Sequence, residues 1–163
     1  MPSSISCCTF IRKVNESVSF LPSRRAPFSD PASGPAEFRS AISRAYYAAY
    51  HTARDFFTEL GIGAPAGPAG HGKIPIALQI VTDPDIKQAG KDLDDLKGKR
   101  NRADYTLSDP LFGQKATAQA VTKQVAQILG SLNGCLRSPS RRPQAETEIK
   151  NWVQGGVGKA LGF

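Results

Sequence analysis

"PAEFRSAISRAYYAAYHTARDFFTELG", residues 35–61, is the stretch that decides the fold. Pro35 suits a first helical turn, Glu37 the positive end of a helix, and Gly61 its stop. Between them Phe38, Ile42, Ala45, Ala49, Ala53, Phe56 and Leu60 recur at steps of three and four. That spacing predicts one buried stripe along a single long helix. Arg39, Ser43, Tyr47, Tyr50 and Arg54 form a second stripe, polar and aromatic. The small residues Ala45, Ala48 and Ala49 allow another helix to come close, either within the domain or across a dimer.

Working outward, "GIGAPAGPAG", 61–70, reads as a loop. A shorter helix is predicted from about Gly72 to Val81, with Pro75 in its first turn. "TDPD", 82–85, is a stop and a restart, because Asp83 can cap and Pro84 fits the turn that follows. The next helix is predicted over Pro84–Tyr105, with Ile86, Ala89, Leu93, Leu96 and Ala103 apolar. "SDP", 108–110, repeats the capping signal ahead of a helix over about 110–132, and Gly134 lies just past it. That helix carries Leu111, Ala118, Val121, Val125, Ile128 and Leu132. Residues 137–145 read as a charged, proline-containing linker, and "AETEIKNWVQGG" as a short terminal helix that docks through Trp152 and Val153. No alternating β pattern competes. The expected fold is all-α, an up-and-down four-helix bundle over 35–136 with flexible extensions at 1–34 and 137–163.

Composition agrees with one domain: the chain has 163 residues, 40% of them hydrophobic. Its net charge of +7 divides into +2 for residues 1–30, +2 for 31–136 and +3 for 137–163. Most of the basic excess therefore belongs to the two ends, which favours polyanions or serves solubility alone. Three cysteines are too few for a disulfide framework, and adjacent Cys7 and Cys8 with no histidine nearby are not a zinc pattern. No metal and no cofactor are expected. No apolar run reaches the roughly 20 residues that span a bilayer. The expected setting is cytoplasmic. The first 29 residues, rich in Ser and basic, fit an organellar transit peptide or a bacterial N-terminal extension equally.

"KGKRNRADYTLSDP", 97–110, is the candidate site. On a helix Lys97, Arg100 and Asp104 share a face, while Lys99 and Arg102 lie nearer another. Cations in a last turn are favoured by the helix dipole, and Asp104 can pair with Arg100, so a plain helix end accounts for the charges. A phosphate pocket uses the same residues differently. Arg100 and Arg102 clamp oxygens, while Asn101 and Tyr105 donate. Tyr46, Tyr47 and Tyr50 read as stacking platforms or as helix packing with phenols at the rim.

Two segments, "FRSAISRAYYAAYHTARDFF" at 38–57 and "AGKDLDDLKGKRNRADYTLSDP" at 89–110, resemble the HEPN superfamily. Between them "GHGKIPIAL" looks like the Gly-His element that opens the second helix in such proteins. The resemblance spans about 38–132. It implies a helical bundle that often dimerises, and membership of bacterial toxin–antitoxin or defence systems, with a nucleotidyltransferase-type antitoxin as a possible partner. It also implies metal-independent ribonuclease chemistry carried by an Arg followed four to six residues later by a His. In that scheme the His moves the 2′-OH proton and the Arg steadies the phosphorane.

This chain departs from the motif at its histidine. The Arg falls on Arg100, but the His position is held by Asp104 or Tyr105, and no His follows His71. A literal Arg44 to His51 match lies on the first helix, where the family motif does not. His71 reads as a helix-start residue bonded locally, or as a loop histidine that reaches the cleft and supplies the missing imidazole. Two functions therefore stand. One is RNA or nucleotide binding, ribonuclease-like, with Lys97, Arg100, Asn101 and Arg102 on phosphate and Arg100, Asp104, Tyr105 or His71 in catalysis. The other is a non-catalytic HEPN module for homodimerisation or protein interaction. Residues 1–30 lack apolar periodicity and hold several breakers. A chain starting at Ser33 is therefore expected to keep the melting temperature and helical circular dichroism of the full chain, and a loss of several kcal/mol on truncation would contradict that.

Overall fold

The computed structural model describes residues 34–65 and 67–160. The extension expected over 1–34 lies outside them except for its last residue. The described residues are all-α, with six helices, one 3-10 turn and no strand.

The first helix, α1, runs over Pro35–Glu59. All seven residues of its predicted stripe are buried, and Ala49, Ala53 and Phe56 are sealed completely. The helix ends by a paired closure. The Ile62 amide donates to the Phe57 carbonyl at 2.9 Å and the Gly61 amide to the Thr58 carbonyl at 3.0 Å. Gly61 adopts φ 67°, a conformation that glycine takes without a Cβ clash. Ile62 is buried beyond it.

Helix α2, Gly70–Gln79, begins two residues before the expected Gly72. The amides of Gly70, His71 and Gly72 already donate to the carbonyls of Gly67, Pro68 and Ala69, so helical winding starts in the loop. Pro75 consequently falls inside the helix rather than in its first turn. Helix α3, Pro84–Tyr105, starts as predicted, with the Asp83 carboxylate accepting from the amides of Asp85 and Ile86. Helices α2 and α3 cross at Gly90. A Cβ there would meet the Pro75 carbonyl oxygen at 2.8 Å and Leu78 at 2.9 Å, so the crossing requires a glycine.

The segment predicted as one helix over 110–132 divides. Pro110–Gly113 is a 3-10 turn, and α4 runs over Lys115–Arg137, well past Gly134. Leu132 and Cys135 continue the buried stripe at a step of three, so the core holds the helix beyond the glycine. Helix α1 lies against α3 and α4, and α2 lies on α3.

The C-terminal part corrects the sequence reading. The expected terminal helix is present but starts four residues inside the expected linker: α5 spans Arg141–Gln154, with Ala145 and Ile149 fully buried, and α6 follows at Gly156–Ala160. The expected anchors Trp152 and Val153 are only half-buried. The charges that suggested a linker are what tie the helix down. Arg141 forks onto Asp83 at 2.6 and 2.9 Å and reaches Asp85 at 2.8 Å. Glu148 accepts from the Thr82 amide at 2.8 Å. Arg142 donates to the Glu59 carbonyl at 2.7 Å. Pro143 fits because it stands in the first turn.

Arg39, from the polar stripe of α1, fastens the far end. Its guanidinium donates to the carbonyls of Ala103 at 3.1 Å, Thr106 at 3.2 Å and Leu107 at 3.1 Å, and also to that of Asp109. One planar fork thus holds the exit of α3 and the loop after it. Charged hydrogen bonds of this kind are worth about 1.5–3 kcal/mol when lost together with their partners' satisfaction. Arg39→Ala is expected to lower unfolding stability by about 2 kcal/mol and to speed amide exchange at Thr106 and Asp109. Arg39→Lys recovers only part of it, and full recovery would show that charge alone suffices.

Candidate functional site

The second stripe of α1 brings Ser43, Tyr46, Tyr47, Tyr50 and Arg54 toward the start of α2 and the last turns of α3. Tyr46 and Tyr50 are more deeply buried than a rim position, which follows the packing reading of these phenols. Tyr47 stays half-buried and His51 exposed.

Arg100 of α3 lies over the Tyr47 ring, 5.1 Å from its centroid, and donates from Nη2 to the Tyr47 hydroxyl at 2.6 Å. Its Nη1 donates to Asn101 Oδ1 at 3.0 Å. Its Nε sits 2.8 Å from Asp104 Oδ2, yet the N–H is not aimed at that oxygen, so the contact is ionic without a directed hydrogen bond. Asp104 also accepts from Ser43 Oγ at 3.2 Å. The Tyr105 ring lies 5.5 Å from the Arg100 carbon Cζ on the outside, and Tyr105 is 74% exposed.

His71 enters from α2, at the second residue of the helix. It stacks on Tyr50 with ring centroids 4.0 Å apart and shares a 2.6 Å hydrogen bond between Nδ1 and the Tyr46 hydroxyl. That bond crosses between helices, so His71 is not merely bonded locally. Edge contact with Tyr47 at 6.0 Å puts His71 and Arg100 on the same tyrosine. Burial pushes the His71 pKa below its ordinary 6.5, and the charges of Arg100, Lys97, His51 and Arg54 push the same way. The imidazole is therefore neutral at pH 7. Burial also pushes the Tyr46 phenol up to about 12, with Tyr50 and Tyr47 adding to the rise. Tyr46 keeps its proton, and with Nδ1 engaged the free ring nitrogen of His71 is Nε2. Lys97 closes the group from α3. Its Nζ lies 3.9 Å from the place a Cβ of Gly72 would take.

The basic run 97–102 is thus divided among three directions. Lys97 and Arg100 turn to His71 and Tyr47. Lys99 pairs with Asp95 at 2.6 Å and Gln124 at 2.8 Å. Arg102 pairs with Asp109 at 2.6 Å and lies 4.8 Å over the Phe112 ring. Arg100 and Arg102 therefore do not converge on one point as a clamp, and Asn101 is bound to Arg100 rather than standing beside it. Arg44, from the literal match with His51, is exposed. The sequence reading placed Arg54 and Tyr47 in the polar stripe without assigning them to the site. Their i, i+7 spacing was the signal that could have found them.

Among the described residues no group of three or more His, Cys, Asp or Glu side chains could hold a metal ion. None of the helices there is long and apolar enough to cross a membrane. No family model, no curated protein and no solved structure matches the chain.

The depressed His71 pKa has a linkage consequence. The unfolded chain binds a proton near pH 6.5 more readily than the folded one, so stability is fully present above that pH and falls as pH drops toward the lower folded pKa. An NMR titration is expected to place the His71 midpoint below the ordinary 6.5 of an imidazole. His71→Gln should flatten the loss of stability on acidification below about pH 6.5. A His71 midpoint at or above 6.5 would contradict the burial and the cationic surroundings.

Proposed function

We propose that the protein binds RNA or a nucleotide through phosphate at the face where α1, α2 and α3 meet, as a HEPN-like, ribonuclease-like protein. The observation that carries the reading is a neutral, half-buried histidine whose most influential charged neighbours are all basic, set on a wall of tyrosines. Such a wall excludes water on one side, and the cations favour an anion on the other. Lys97 supplies a cation without an ion pair among the described residues, and Arg100 supplies a guanidinium fixed by Tyr47 and Asp104. His71, through Nε2, is the group that exchanges a proton with the ribose 2′-OH, in the role for which the motif region has no histidine. The four-helix bundle of HEPN type and the link to toxin–antitoxin or defence systems belong to this same proposal. They rest on the segments 38–57 and 89–110.

One observation favours the second reading, a non-catalytic interaction or dimerisation module. Arg100 and Arg102 are both ion-paired internally, while Tyr105 and Leu107, at 74% and 73% exposure, stand out at the exit of α3 that Arg39 holds. The two readings separate in a titration of labelled single-stranded RNA and of adenine nucleotides at two salt concentrations, with a cleavage assay in EDTA. Lys97→Gln is expected to leave the melting temperature unchanged and to weaken RNA binding. It should reduce the log–log salt slope by about 0.7, one phosphate contact on a single strand. Arg100→Ala should weaken binding further, and His71→Ala should abolish cleavage while leaving most of the binding. Equal binding by wild type and both cation variants rules out the phosphate site and leaves the interaction module.

A further inference from the structure

Two buried side-chain polar atoms lack a hydrogen-bond partner among the described residues: Arg54 Nε and Arg100 Nε. Arg100 Nε still lies in ionic contact with Asp104 Oδ2 at 2.8 Å, whereas Arg54 Nε has neither hydrogen bond nor ion pair among the described residues, a costly state for a buried guanidinium N–H. Both orphans belong to the same face. Tyr47, Tyr50 and Arg54 stand at i, i+3 and i+7 along α1, which keeps them in one line. Arg100 lies over Tyr47 at one end of that line, and Arg54 is its other end. The seven-residue step from Tyr47 to Arg54 covers about 10 Å of helix. His71, stacked on Tyr50, occupies the interval. Arg54 makes no ion pair with any described residue. On the exposed side His51 stacks beside Tyr47 at 6.5 Å and adds an open ring platform.

We infer that Arg54 and Arg100 contact two different phosphates of one single-stranded nucleic acid laid along α1, with Arg54 a binding residue outside the 97–110 motif. The inference rests on the phosphate-binding reading above and extends it to the class of ligand. A lone phosphate is too small to reach both guanidinium groups across two helical turns, whereas a sugar-phosphate strand presents acceptors at intervals. The open ring platform suits bases that stack without sequence preference.

The test uses the full chain, a labelled short oligouridylate, an oligodeoxythymidylate of the same length, and uridine monophosphate as the single-phosphate probe. Arg54→Gln is expected to weaken oligouridylate binding about tenfold at low salt and to lower the salt slope by about 0.7, in keeping with one lost contact. The deoxy strand carries the same phosphates and should show the same loss. Uridine monophosphate, held at the Arg100 end, should bind Arg54→Gln within about twofold of wild type. Arg54→Lys keeps the charge and should restore the slope. Arg54→Met, which retains the packing stem, repeats the loss if Arg54→Gln is unstable. An unchanged slope in both neutral variants, with Lys97→Gln still defective, overturns the Arg54 contact and leaves the phosphate-binding reading standing. Failure of the wild-type protein to bind any of the three probes overturns both.

Discussion

Everything else in the domain is arranged around the alanine stripe of α1. Ala45, Ala49 and Ala53 are buried almost without residue, and their small side chains let the neighbouring helices come close along the middle of α1. The large apolar residues Ile42, Phe56, Phe57 and Leu60 then fill the space around them. Each of these contributes about 1.5–3 kcal/mol on burial. Because α1 is covered on its apolar side, its polar and aromatic stripe is left for the boundary with α2 and α3. The candidate site is a product of that division of one helix into two faces.

The same division explains how a histidine distant in sequence comes to the arginine motif. His71 stands at the start of α2, and α2 is held against α3 by the crossing at Gly90. Tyr50 and Tyr46 rise from α1 beneath it. Three separate helices therefore fix one imidazole, and burial, aided by the cations around it, keeps it neutral. Fixing a neutral imidazole and a guanidinium against one tyrosine is a form of preorganisation, since neither side chain has to be ordered when a ligand arrives.

Arg100 and Arg39 show why charge counts in a sequence say little about availability. Arg39 lies in the same stripe as Tyr47, yet its fork is spent on backbone carbonyls at the exit of α3. Arg100 is spent in part on Tyr47, Asn101 and Asp104. Arg102, expected to work beside Arg100, is turned away by Asp109, whose carboxylate also caps the next turn at Leu111. Arg54 drew no assignment from the sequence, yet it has no ion pair with a described acid, and its Nε has no acceptor among the described residues. A helix face separates side chains that adjoin in sequence and joins those a turn apart, and the acids supplied by neighbouring loops decide which cations remain available.

The sequence by itself determined the helical class, the stripe of α1, the Asp83 and Asp109 caps and the span of α3. Each depends on local spacing and on residues whose backbone preferences act within one turn. It also determined that Arg100 and Asp104 meet, because they stand one turn apart. Only the tertiary structure decided that His71 reaches Tyr46 and Tyr50, and that the basic run divides in three directions. It alone also showed that the C-terminal helix already begins at Arg141, inside the expected linker, and docks through Ala145 and Ile149. Most of those outcomes turn on partners far away in the chain, such as Tyr46, 25 residues from His71, and Asp83, 58 residues from Arg141. No local pattern encodes such pairings. They follow from how closely the helices pack and from where each charge finds a counter-charge once they have.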